Sequence, residues 1–162
     1  MTIAVGEKLP NATMVTMGAE GPEEVQLSDK LAGRKVALFG LPGAFTGTCS
    51  TLHVPSFMRV MDQLKAKGVD EVICVSVNDV FVMDAWGKDT GGAEAGITFL
   101  GDAAAEFTKA IGMDFSAPPV GLIDRSKRFT MLVEDGEVKV LNPEPSPGQC
   151  DISSGETLLD QI

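Results

Sequence analysis

Hydrophobic positions are densest in two short runs, "KVALFGL" from Lys35 to Leu41 and "EVICVSV" from Glu71 to Val77. Each is continuous and of strand length, the pattern of a strand covered on both faces rather than one. Between them, from Ser50 to Lys67, apolar residues recur at Phe57, Met61 and Leu64, and Gly68 follows where helices commonly end. Strand, helix, strand in this order predicts a crossover unit with parallel strands. Pro55 lies inside the helical stretch and removes one backbone hydrogen bond, so a kink is expected there.

Further along, "NDVFVMDAWGK" predicts a helix capped by Asn78 or Asp79, with Val82, Ala85 and Trp86 on one side. "DAAAEFTKAIG", Asp102 to Gly112, predicts a short helix closed by glycine. In "RFTMLVEDGEVKVL" two β-like runs flank Asp135-Gly136, a dipeptide suited to a tight hairpin. Ser153 and Glu156 have the spacing of a capping box ahead of Leu158 and Leu159. These elements predict an α/β three-layer sandwich whose sheet is part parallel and part antiparallel, the thioredoxin-like arrangement. No repeat, low-complexity tract or long linker divides the chain, so one domain over residues 1–162 is expected.

A chain of 162 residues buries roughly two-thirds of its unfolded surface, enough for a core without staples. The net charge of −10, with 13 basic residues scattered among 23 acidic ones, argues against a nucleic-acid partner. No apolar run approaches the roughly 20 residues that span a bilayer. "MTIAVGEKLPNATM" also lacks a basic region followed by a hydrophobic stretch, so a cytoplasmic protein without membrane association is expected. Three cysteines, at 49, 74 and 150, are not a disulfide framework, and with one histidine they show no zinc-like spacing. No metal and no cofactor is expected.

The chemistry points to "LPGAFTGTCSTLHVP", Leu41 to Pro55, where Cys49 sits at the seam between strand and helix. A free cysteine by itself is more often a packed side chain than a nucleophile. A helix start, however, presents unpaired N–H groups and a positive dipole end, which favour the thiolate. Thiol-disulfide oxidoreductases carry C-x-x-C at such a seam; here the frame reads Thr46-Gly47-Thr48-Cys49. A thiolate beside a hydroxyl suits a substrate with two adjacent oxygens. The sulfur attacks one, the Thr46 hydroxyl and backbone N–H groups align the pair, and a cation steadies the leaving oxygen.

"PGAFTGTCS" resembles the peroxiredoxin pattern P-x-x-x-T-x-x-C, and with "HVPSF", "VSVNDVFVMDAW" and "RSKRFTMLVEDG" the chain is similar to the type II, peroxiredoxin-5-like subfamily. The similarity runs from about Val5 to Leu159. It implies that Cys49 is the peroxidatic cysteine, Thr46 its hydrogen-bonding partner, Pro42 a shield of the pocket and Arg128 the guanidinium near the thiolate. It also implies an antioxidant thiol peroxidase acting on hydrogen peroxide and alkyl hydroperoxides, a homodimer, and thioredoxin or glutaredoxin with glutathione as reductant. Cys150 falls close to the resolving position of animal-type members; an incidental surface cysteine is the alternative. Gly47 stands where the family usually has proline, and Ser56 where it often has glycine.

Other residues invite plainer readings. Cys74 reads as a buried, inert strand thiol. His53, one helical turn beyond Cys49, reads as structural or as a support to the site, and Trp86 as core or dimer surface. Met58, Met61 and Met83 read as packing. Arg125 equals Arg128 on composition, and only the "RF" context selects the latter. Two other functions share the first chemical step or the fold: a thiol-disulfide or glutathione-dependent oxidoreductase, and a redox sensor or chaperone without turnover.

Overall fold

The two apolar runs form β3 (Lys35–Gly40) and β4 (Glu71–Ser76), parallel neighbours in the middle of the sheet. Alternation explains their composition. Ala37, Phe39, Val72 and Cys74 face one apolar cluster, while Val36, Leu38, Ile73 and Val75 face another on the opposite side of the sheet. The structure, a computed structural model, describes residues 2–162.

Seven strands form one mixed sheet in the order β2-β1-β5-β4-β3-β8-β9. β1 (Thr13–Gly18) and β2 (Gly21–Gln26) make an antiparallel ribbon, and β5 (Thr98–Gly101) lies parallel to β4. β8 (Phe129–Glu134) runs antiparallel to β3 and pairs with β9 (Glu137–Pro143). Asp135 and Gly136 both have positive φ, 48° and 79°, closing the expected two-residue hairpin. β6 (Asp114–Ala117) and β7 (Leu122–Ser126) form a separate two-stranded ribbon.

Helices cover both faces, giving the expected three-layer sandwich. α2 (Val54–Met58), α3 (Met61–Ala66), α4 (Val80–Thr90) and α6 (Gly155–Gln161) pack on the Phe39 side. α1 (Leu27–Leu31) and α5 (Glu106–Ala110) cover the Leu38 side. Among the described residues no helix is long and apolar enough to cross a membrane.

Several expected elements differ in detail. The Ser50–Lys67 helix is three pieces: a π-helical turn over Cys49–His53, then α2, then α3 after a break at Val60, where φ is −118°. Pro55 sits at the junction of the π turn with α2, where the Val54 N–H reaches back to Cys49 O. The wider turn already interrupts the regular ladder there, so proline disturbs little. In α4 the buried residues are Val80, Met83, Trp86 and Gly87; Ala85 is exposed and Val82 half-buried. Trp86 is core, its indole N–H donating to Ser50 Oγ at 2.9 Å.

Asp79 is the cap of α4, accepting from Val82 N, while Asn78 anchors the loop after β3 by accepting from Ala44 N. α5 starts at Glu106, not Asp102, because the Asp102 carboxylate instead collects the Phe107 and Thr108 N–H groups. α6 is capped by Ser154, one residue after Ser153, with Thr157 N as donor. A Cβ on Gly155 would lie 2.6 Å from Ser56 O, so α6 approaches α2 backbone to backbone. Ser56, the departure from glycine, is itself buried and satisfied: its hydroxyl donates to His53 O and accepts from Gly155 N.

Candidate active site

The loop from Leu41 to Thr46 leaves the C-terminal end of β3 and turns sharply at Phe45, whose φ of 62° is unusual for an aromatic residue. Ser50 N donates to Thr46 O, so Thr46 precedes the first helical turn and Cys49 is its third residue, not its first. The cysteine lies within the first turn, where backbone N–H groups lack helical acceptors.

Arg128 enters from the opposite direction, immediately before β8, because β8 pairs with β3. Arg128 is 1% exposed, and its guanidinium makes four hydrogen bonds. Nη2 donates to Cys49 Sγ at 3.1 Å and to Pro147 O at 3.0 Å, Nε reaches Pro147 O at 3.3 Å, and Nη1 meets His53 Nδ1 at 2.9 Å. None of these partners is a carboxylate. A buried guanidinium is costly unless its charge and donors are met, and the Cys49 sulfur is one of the acceptors that meet its donors.

His53 has no exposed surface. Since guanidinium nitrogens only donate, Nδ1 must accept, which leaves the proton on Nε2 to be donated to Ser153 O at 3.0 Å. Thr130 donates its hydroxyl to the same carbonyl. Burial, then the Arg128 charge, holds the imidazole well below its ordinary range, against the Ser153 carbonyl, which favours protonation. The ring therefore supports Arg128 rather than Cys49, as a structural or supporting reading requires.

Thr46 does not bond to the cysteine. Its hydroxyl donates to Gly43 O at 2.7 Å, a turn bond that commits the proton and leaves the oxygen able only to accept from any further partner. Pro42, Thr46, Gly47, Phe115, Leu122 and Arg128, with Val120, line an open pocket of about 260 Å3. Arg128 joins the pocket to Cys49, which has no exposed surface of its own. Arg125 is also nearby, its Nη1 donating to Pro42 O at 3.2 Å, but it makes no contact with the sulfur.

The structure keeps the remaining cysteines apart from these contacts, and all three are free thiols. Cys74 is fully buried on β4; burial pushes its thiol well up, Cys49 adds to the effect and Arg128 opposes it. Cys150 is half-buried, not fully exposed as its Pro/Gly-rich surroundings suggest. Burial pushes it up, against Ser153, whose hydroxyl lies 3.8 Å from the sulfur, and the Arg128 charge. The segment around it is held by Thr48 Oγ1 on Gly148 O and by the Glu144 carboxylate. Sequence reasoning passed over Glu144 because nothing in "NPEPSPGQC" distinguishes it from a solvated loop charge.

A family model described as Redoxin matches residues 4–159. The chain is 48% identical over 165 residues to "Peroxiredoxin-2E-2, chloroplastic" of Oryza sativa subsp. japonica, covering 99% of this chain and 73% of that one. It is 43% identical over 161 residues to "Peroxiredoxin-2B" of Arabidopsis thaliana, with 99% and 98% covered. Among solved structures, reduced Prx3 in complex with h2o2 from Vibrio vulnificus has a TM-score of 0.92 at 44% identity, with 99% of each chain covered.

Proposed function

The chain belongs to the redoxin family as a type II peroxiredoxin, a thiol-dependent peroxidase, and on that premise we propose that Cys49 is its peroxidatic nucleophile. The observation that supports this most is the Arg128 Nη2 to Cys49 Sγ contact at 3.1 Å, made by a buried cation without a carboxylate partner. The thiolate attacks the terminal oxygen of the peroxide; the O–O bond breaks, and the leaving oxygen departs with a proton as water or an alcohol. Sulfur is oxidised to a sulfenic acid. Thr46 Oγ1, its proton engaged by Gly43, accepts from the peroxide O–H, and Arg128 stabilises the charge passing to the leaving oxygen. Pro42 and the apolar Phe115, Val120 and Leu122 give the open pocket an apolar wall with room for the alkyl group of an organic hydroperoxide as well as hydrogen peroxide.

Recycling proceeds, in this reading, through Cys150. Its thiolate attacks the sulfenic sulfur, an S–S bond forms as the S–O bond breaks, and the departing hydroxyl takes a proton from solvent and leaves as water; thioredoxin, or glutaredoxin with glutathione, then supplies two electrons. Cys150 must move to do so, releasing the Thr48–Gly148 and Glu144 contacts. A homodimer is part of the same proposal: Phe45, Phe81, Val120 and Ile123, each more than half exposed, offer apolar surface to a second copy.

Cys49→Ser tests the nucleophile: peroxide consumption is expected to vanish with the fold unchanged, since an alcohol is almost wholly protonated at neutral pH. Retained turnover would reject the assignment. Cys150→Ser is expected to reduce one equivalent of peroxide, lose thioredoxin-supported turnover and over-oxidise more readily. Normal turnover with glutaredoxin, and no Cys49–Cys150 peptide in oxidised wild type, would make the protein a one-cysteine enzyme.

A further inference from the structure

The chain between Glu144 and Ser154 has no regular structure, yet its contacts converge on one side chain. Glu144 is 8% exposed, and a single carboxylate oxygen, Oε2, accepts three hydrogen bonds: from Asp151 N at 2.7 Å, Ser153 N at 2.8 Å and Ser153 Oγ at 2.7 Å. At the other end of the loop the Glu144 N–H donates to Arg128 O at 2.9 Å. The carboxylate thus ties residue 144 to residues 151 and 153 and forces the intervening chain into a closed bulge.

That bulge supplies the contacts that orient Arg128. Pro147 O takes the second proton of the same Nη2 that donates to Cys49, and also engages Nε. Ser153 O fixes the His53 ring, whose Nδ1 holds Nη1. A guanidinium is a planar fork, so fixing one N–H of each nitrogen from outside sets where the second N–H of Nη2 points. We propose that Glu144 is a positioning residue, its carboxylate closing the 144–153 loop so that Pro147 and His53 aim Arg128 at Cys49. This rests on the reading of Cys49 as the nucleophile.

The sign of the effect separates the latch from a simple charge effect. Glu144 and Arg128 line the same small pocket. By its charge alone, a carboxylate near the site disfavours a thiolate, so neutralising it should make Cys49 more reactive. By the latch, removing its acceptor should make Cys49 less reactive.

The experiment follows alkylation of reduced, full-length protein by iodoacetamide from about pH 5 to about pH 9, with the modified cysteine identified by peptide mass. The rate with hydrogen peroxide is measured in parallel. Glu144→Leu is expected to slow Cys49 alkylation at neutral pH by about tenfold, move its pH midpoint upward and lower the peroxide rate by at least as much, short of the loss from removing Arg128 itself. Glu144→Asp, which keeps the charge but shortens the reach, should shift the same way by less. Glu144→Gln, whose amide oxygen can replace Oε2, should recover most of the wild-type profile. If Glu144→Leu does not fold, Glu144→Asp and Ser153→Ala, which deletes one of the three bonds, carry the test. Faster alkylation in both Glu144→Leu and Glu144→Gln, or a wild-type profile in every folded variant, would overturn the latch. Peroxidase activity surviving in Cys49→Ser would instead overturn the reading of the site, leaving the alkylation result to stand alone.

Discussion

Cys49 and Cys74 are both without exposed surface and belong to the same apolar cluster, with Cys74 opposite Phe39 across the β3–β4 pair. Thiol and burial are therefore alike, and only the partners differ. Cys74 lies mid-strand, where burial pushes it up and leaves a thiol that packs like a small hydrophobe. Cys49 lies in a helical first turn with a guanidinium N–H at 3.1 Å. The comparison teaches that strand order makes the difference. Pairing β8 with β3 delivers Arg128 to the end of the sheet where Cys49 sits, whereas the middle of β4 is flanked only by strands.

The largest way to break this contrast is to remove the donor. Arg128→Met is expected to cost about 2–4 kcal/mol of transition-state stabilisation, roughly 30- to 1000-fold in the second-order rate with peroxide. Thr46→Val should fall in the same range. Arg125→Gln, which loses only a bond to Pro42 O, should lose much less. On the other side of the comparison, Cys74→Ala should leave the rate within about twofold and cost about 1 kcal/mol of stability. Stopped-flow kinetics and denaturant melts read both; wild-type rates in Arg128→Met would erase the contrast.

A smaller effect distinguishes the two regions by pH. The folded-state pKa of His53 is lowered, by burial first and by Arg128 second. Below its unfolded value of about 6.5 the unfolded chain takes up a proton that the folded chain refuses, so stability is complete above that pH and lost as pH falls from it. The melting midpoint of wild type should therefore drop between about pH 6.5 and about pH 5 more steeply than that of His53→Asn. Equal slopes would show that the imidazole is not held neutral by the site.

The smallest expected effect lies at Gly47. A Cβ there meets nothing within 4 Å, and the residue opens the helix, where proline's fixed φ is favourable. Gly47→Pro should raise the melting midpoint by about 2 °C by restricting the unfolded chain. A lower midpoint would show that the turn beneath Cys49 requires glycine's freedom.

What was legible in the sequence follows from how local each signal is. β3, β4 and the Asp135-Gly136 hairpin announce themselves because continuous apolar runs and an αL-tolerant dipeptide are local features. The β1–β2 ribbon was not legible: at the sheet edge most of its residues are half-buried or exposed, so no alternation marks it. β5 is four residues long, too short for a period to register. At the site, Thr46 and Cys49 lie three residues apart at the start of the helix, so their spacing alone could single them out. The role of His53 depends on a π turn and on a guanidinium that spans both side chains, and Glu144 acts across a loop closed only in three dimensions. Neither arrangement leaves a periodic trace.

The central claim is that partners, not burial, make Cys49 the reactive thiol. It is tested most directly by treating reduced protein with less than one equivalent of hydrogen peroxide in the presence of dimedone, which traps sulfenic acid, and locating the adduct by peptide mass spectrometry. The account predicts the adduct at Cys49, none at Cys74, and loss of the Cys49 adduct in Arg128→Met at matched times. An adduct forming first at Cys74 or Cys150, or at Cys49 with undiminished speed in Arg128→Met, would contradict it.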